Sequence, residues 1–170
     1  GKAIAGPEWI IIDPLYAERR DPEDPRNGKA LVWFGAGIPE VYKDRALAEL
    51  KRLGVESVVP NGGSLYALHR DCSVHIGSLG MSTFEAMACG CVPMIVGRSS
   101  DHEETGWALS QMQAAVMFGR YDRIYPELFA WYCEGQMGTA VVGDRRAIGQ
   151  GLIDGRGGFR VAERIRSMMP

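Results

Sequence analysis

The sequence predicts an α/β fold, a single doubly wound, Rossmann-like parallel sheet covered by helices. Three observations predict it. Short strand-like runs at Ala30–Phe34, Glu56–Val59, Ser73–Ile76 and Val92–Val96 alternate with helical stretches, the pattern of parallel strands joined by right-handed crossovers. The run Ala30-Leu31-Val32-Trp33-Phe34 is apolar on successive residues, as a strand buried on both faces must be. Glycines follow the first and third runs, at Gly35 and Gly37 and at Gly77 and Gly80, where a tight strand-to-helix turn or a close ligand needs them.

In chain order, Trp9–Ile12 is a short apolar run. It leads into a charged segment, Asp13–Lys29, with prolines at 14, 22 and 25 and an Asn27-Gly28 pair. Prolines at that density forbid a continuous helix or a central strand, so residues 1–28 are expected to be an interdomain linker and 29–170 the folded domain. After strand Ala30–Phe34, the segment Val41–Leu53 carries Ala46, Leu47, Leu50 and Leu53 on a helical stripe, closed by Gly54. Ser64–His69 is a short helix capped by Ser64. Thr83–Cys89 is a helix stopped by Gly90, and Asp101–Ala115 another. Val116–Phe118 is a further strand, Tyr125–Cys133 an aromatic-rich helix, and Val141–Val142 a last edge strand. Gly157–Met168 is a helix with Phe159, Val161, Ile165 and Met168 on one side and arginines on the other.

The totals exclude several classes. A chain of 170 residues is one domain by default and buries roughly two-thirds of its unfolded surface. Its 46% hydrophobic and 24% charged residues are those of a globular protein. Nineteen basic against 21 acidic side chains give a formal charge of −2, so no basic excess addresses a nucleic acid. No apolar run is long enough for a transmembrane segment, and none follows Lys2 as in a signal peptide. The cytoplasm is therefore expected. Cys89-Gly90-Cys91 is too tight for a zinc knuckle, so the four cysteines at 72, 89, 91 and 133 are read as free thiols, with no metal and no cofactor.

In a doubly wound sheet, ligands sit beyond the carboxyl ends of the strands, where helix N-termini present unpaired N–H groups. Phe34-Gly35-Ala36-Gly37 is either a loop passing close to a phosphate or a plain tight turn. The segment Gly77-Ser78-Leu79-Gly80-Met81-Ser82-Thr83-Phe84-Glu85 is richer. Ser82 and Thr83 stand where a helix starts, and their hydroxyls suit a cap or phosphate oxygens. Ser82-x-x-Glu85 has capping-box spacing, yet a carboxylate there also suits a ribose diol, accepting two hydrogen bonds. Both readings stand. Asp101-His102-Glu103-Glu104 follows the fourth strand, either as an acidic first turn favoured by the helix dipole or as acceptors for sugar hydroxyls. His69 and His75 carry weaker signals, and His75, in mid-strand, is read as a packed residue.

The stretch Asp71–Val96, with Gly77, Gly80, Ser82, Phe84, Glu85 and Gly90-x-x-Pro93, resembles the C-terminal nucleotide-sugar-binding domain of GT-B glycosyltransferases (family 28-like). Within that group it is most similar to the UDP-sugar hydrolase of pseudaminic acid synthesis and its spore-coat polysaccharide relatives. Gly6-Pro7-Glu8, Phe34-Gly35-Ala36-Gly37 and Asp154–Ala162 resemble further family segments. The resemblance implies a UDP-sugar ligand, with Gly80, Ser82 and Thr83 toward the diphosphate, Glu85 toward the ribose, and Asp101 to Thr105 toward the sugar. It also implies a catalytic N-terminal domain or partner subunit outside this chain. The sequence departs from the family pattern at Ala36, Met81, Glu103, Glu104 and Thr105. Two other classes remain in play: a degenerate, non-catalytic GT-B-like interaction subunit, and a nicotinamide or flavin Rossmann domain. The second lacks the third glycine of its fingerprint, since Glu40 stands in its place.

Overall fold

The computed structural model describes residues 6–18, 28–62, 64–125, 127 and 139–169. Five strands form one parallel sheet: β1 (Ala30–Trp33), β2 (Ser57–Val58), β3 (Val74–Ser78), β4 (Val92–Gly97) and β5 (Val116–Arg120). Their spatial order is β2-β1-β3-β4-β5. The helices are α1 (Glu40–Arg52), α2 (Leu65–Asp71), α3 (Met81–Ala88), α4 (Ser100–Gln111), α5 (Thr139–Leu152) and α6 (Gly157–Arg166). Two short 3₁₀ turns, Pro7–Trp9 and Pro14–Ala17, precede them. The expected α/β class is the one observed.

The alternation of strand side chains assigns two cores. Ala30, Val32, Val74, Ile76, Met94 and Phe118 point to one face and meet Tyr42, Ala46 and Leu50 of α1, which recur every four residues on a single helix stripe. Leu79, Ile95 and Met117 face the other side and pack against Met87 of α3, Leu109 of α4 and Ile153 after α5. Gly106 lets α4 lie close on β5, since a Cβ there would stand 2.4 Å from Met117 Sδ.

Several boundaries move. β3 runs through Gly77 to Ser78 rather than ending at Gly77. A Cβ on Gly77 would lie 2.1 Å from the Trp33 carbonyl oxygen, so the glycine keeps the β1–β3 ladder closed there instead of breaking it. Val141 and Val142, expected as an edge strand, lie inside helix α5; a two-residue apolar run carries no period by which strand and helix can be told apart. Ser64 caps α2 as expected, accepting from Tyr66 N at 3.2 Å. The expected helix Tyr125–Cys133 lies almost wholly outside the described residues.

Residues Pro7–Ala17 pack on the C-terminal part of the chain. Cβ atoms built on Gly155 and Gly157 would approach the backbone of Tyr16 and of Ile10 to 2.6 and 2.1 Å, and Arg160 Nη1 donates to the Glu8 carbonyl at 2.9 Å. Phe159 and Ile165, on the apolar side of α6, are more than half exposed.

Candidate functional site

The chain leaves β1 toward β2 on one side, then returns to place β3 on the other. The topological switch point therefore lies between β1 and β3, where open α/β sheets bind ligands. The two glycine-bearing loops singled out in the sequence flank it. Gly35 and Gly37 have φ of 65° and 89°, in the left-handed region where glycine is favoured. The loops are tied together by Ser78 Oγ, which donates to the Phe34 carbonyl, and the first is pinned by Arg98 Nη1 donating to the Ala36 carbonyl at 2.9 Å. A cleft of about 230 Å³ opens at the ends of β1 and β2, lined by Trp33, Phe34, Gly35, Pro39, Lys43 and Val59 among others.

The start of α3 resolves the cap. Thr83, buried at 2% exposure, accepts from the Gly80 N–H at 3.2 Å and donates to the Ser78 carbonyl at 3.3 Å. The helix is thus capped by Thr83 on Gly80, and of the two readings left open for Ser82-x-x-Glu85 the capping box is not the one formed. The side chains of Ser82 and Glu85 therefore stand outside the cap. Three residues apart, with Met81 four before Glu85, they share one side of α3 that stays at least partly exposed, whereas Thr83, Ala86 and Met87 are buried. Nothing lies within 4 Å of a Cβ built on Gly80, so the turn is open. Gly77 faces the interior, beneath the Trp33 carbonyl and the His75 ring.

The proline-rich Pro14–Ala17 turn packs on α3, which brings Tyr16 to bear on Glu85. Burial, then the nearby Asp13, push its carboxyl above the ordinary value, and the Tyr16 bond only partly opposes them. Behind Tyr16 runs a buried polar chain. Tyr16 Oη lies 3.2 Å from His69 Nδ1, His69 Nε2 lies 3.0 Å from His75 Nδ1, and His75 Nε2 lies 3.3 Å from the Trp33 carbonyl oxygen. Burial lowers both imidazoles, His69 to about 3 with a contribution from His75, and His75 to about 4. Both rings are therefore neutral near pH 7. His75 is packed, as read, but polar and partnered. Nothing in the spacing of residues 16, 69 and 75 signalled that they would meet.

The third edge loop follows β4. Ser99 caps α4, accepting from His102 N at 3.3 Å. Asp101 and Glu104 are exposed at the first turn. His102 is half-buried, its pKa lowered by burial and then by Arg98, and its Nδ1 has no hydrogen-bond partner among the described residues. Glu103 is held toward the far end of β5 by Arg123, 3.5 Å away. Among the described residues, no group of three His, Cys, Asp or Glu side chains is arranged to hold a metal ion, and no helix is long and apolar enough to cross a membrane.

No protein-family model matches the chain, and no curated protein matches it. Solved structures do. The glycosyltransferase of kitacinnamycin superposes with a TM-score of 0.65 at 12% identity, over 89% of this chain and 47% of that one. CalG4, the calicheamicin glycosyltransferase, gives 0.62 at 12% identity over 88% and 45%. The glycosyltransferase VinC in complex with dTDP gives 0.62 at 14% identity over 92% and 44%. The fold is thus the one found in part of each of these glycosyltransferases, and the chain spans less than half of their length.

Proposed function

We propose that this chain is the nucleotide-sugar-binding half of a GT-B glycosyltransferase or UDP-sugar hydrolase. Its diphosphate lies against the Gly35–Gly37 loop and the open first turn of α3, its ribose at Glu85 and its sugar near Asp101–Glu104. One observation carries this reading: both glycine-bearing loops flank the topological switch point of a parallel sheet, and the α3 turn beside it is capped by Thr83 rather than Ser82 and at least partly exposed on the Met81–Ser82–Glu85 side. Free N–H groups and a serine hydroxyl at a helix start attract phosphate, and a carboxylate one turn on accepts from a diol. The structural neighbours, one of them solved with dTDP, support a nucleoside diphosphate. A second domain or subunit, as in neighbours about twice as long, supplies the opposing wall of the cleft and the catalytic groups. Among the described residues, Cys72, Cys89 and Cys91 are buried and outside any disulfide, which suits a reducing cytoplasm.

Calorimetry with UDP, dTDP and UDP-GlcNAc tests the proposal. We expect UDP to bind and Glu85→Ala to weaken it about tenfold, as loss of one charged hydrogen bond does, with the fold retained. Absence of heat from folded protein at millimolar nucleotide overturns it. A second reading, a non-catalytic subunit of the same fold, is favoured by one contact: Glu103, among the expected sugar ligands, is already engaged by Arg123. Copurification with a partner, without any nucleotide response, is its signature.

A further inference from the structure

Arg98 stands at the sheet's carboxyl edge with its charge unmatched. Trp33 of β1 pairs with Gly77 of β3, and Gly77 pairs with Ile95 of β4. Ala36 and Arg98 therefore each lie three residues beyond one level of the sheet, on either side of β3. β1 and β4 are two strand spacings apart, roughly 10 Å. The Arg98 side chain spans that gap, since its Nη1 donates to the Ala36 carbonyl at 2.9 Å. It lies close on the loop itself: a Cβ built on Gly37 would stand 3.3 Å from both Cδ and Nη1 of Arg98. β3, between the two, runs through Leu79 and Gly80 into α3. The guanidinium thus reaches the first loop across the edge from which α3 starts.

The other cations of this edge are matched. Lys43, on the cleft wall, is paired with Glu40, Arg120 at the end of β5 with Asp122, and Arg123 with Glu103 at 3.5 Å. Among the described residues, no carboxylate is paired with Arg98, and the carbonyl it holds is neutral. A guanidinium has five N–H donors, of which the Ala36 bond uses one. Its planar fork matches phosphate oxygens two at a time. Glu85, Asp101 and Glu104 repel a diphosphate at this edge, and a cation beside the loop offsets them. The charge of Arg98 is felt as far as α4: burial, then Arg98, lower the His102 pKa, and Asp101 opposes them. With the ribose at Glu85 and the sugar at Asp101–Glu104, the phosphate on the sugar's side is the one nearer Arg98.

We propose that Arg98 is a further ligand of the diphosphate, holding its sugar-side phosphate with the donors that Ala36 leaves over and selecting nucleoside diphosphates over monophosphates. This rests on the reading of the cleft as a nucleotide-sugar site. The Ala36 bond already keeps the guanidinium across the edge in the free protein, so less side-chain freedom is lost when the phosphate arrives.

Calorimetry with UDP and UMP tests the assignment on the whole chain. The wild-type protein is expected to bind UDP at least tenfold more tightly than UMP, as a charge-assisted hydrogen bond to the second phosphate gives. Arg98→Gln, polar but uncharged, should remove most of that preference, weakening UDP at least tenfold and UMP less than threefold. Arg98→Lys should recover part of it, since the charge stays and the fork is lost. Equal weakening of both nucleotides makes Arg98 a prop of the loop and overturns the proposal. So does a wild-type protein without the preference, or a Gln variant that keeps it, and in each case the nucleotide reading stands. A wild-type protein that binds neither nucleotide overturns both. His102 gives a second readout, on the unaltered protein, where the variants do not fold. UDP should raise the His102 pKa by offsetting Arg98, and UMP should raise it less, as proton spectra across a pH titration measure. A His102 titration unmoved by saturating UDP overturns the proposal.

Discussion

Two edge loops of the same sheet are built on opposite plans. The turn after β3 is anchored from inside: Thr83 closes it onto Gly80 and Ser78, His75 lies beneath it, and a buried hydrogen-bond chain joins His75 through His69 to Tyr16. The turn after β4 is anchored from outside. Arg98 reaches across to Ala36 over the surface, and Glu103 is paired with Arg123, whose side chain is 64% exposed. A hydrogen bond in the interior cannot be exchanged for water, so its geometry is fixed in the free protein. A surface pair can be exchanged at little cost. The β3 turn is thus preorganised by this chain alone, while the β4 turn is left adjustable.

Acid is expected to break this difference first. His69 and His75 have folded-state pKa values of about 3 and about 4, below the unfolded imidazole near 6.5. The unfolded chain binds protons first, so stability is full above about pH 6.5 and falls toward pH 4, by up to about 1.4 kcal/mol per pH unit for each ring. Glu85, shifted upward, has the opposite sign. It stabilises at acid pH and loses that contribution as pH rises past the ordinary carboxylate value, offsetting part of the slope. Urea unfolding at pH 7 and pH 5 should differ by roughly 2 to 4 kcal/mol, and a flat profile would mean the imidazoles are hydrated.

Two glycines of one turn sharpen the contrast further. Gly77→Ala drives a methyl into the Trp33 carbonyl and should cost about 3 kcal/mol in chemical unfolding. Gly80→Ala, with extended backbone at φ 179° and open space around it, should cost under about 1 kcal/mol. Equal costs would erase the distinction between the inner and outer sides of the turn. The smallest effect is expected at the other loop. Glu103→Gln loses a partly exposed ion pair and should shift stability by less than about 0.5 kcal/mol, a value the same unfolding curves measure.

Much of the fold was legible because its signals are local. The apolar run at Ala30–Phe34 names a strand buried on both faces, the stripe Ala46–Leu50 names a helix facing it, and Gly35 and Gly37 mark a turn needing positive φ. Each is decided within one element. The cap of α3 stayed open in the sequence because Ser82-x-x-Glu85 and Gly80-x-x-Thr83 offer the same spacing. The choice between them depends on Ser78, whose carbonyl accepts from Thr83 and whose place is set by the β3–β4 ladder. The Val141–Val142 pair was misread because two residues show no period.

By itself, the sequence determined the class of the fold and which loops stand at the sheet's carboxyl edge, since periodicity and glycine dihedrals act over a few residues. Only the tertiary structure decided what faces Glu85. Tyr16 is 53 residues from His69, and they meet because the strand order sets β3 beside β1 while the N-terminal turn folds onto α3. A hydrogen bond between residues so far apart is a property of topology, and no local pattern encodes it.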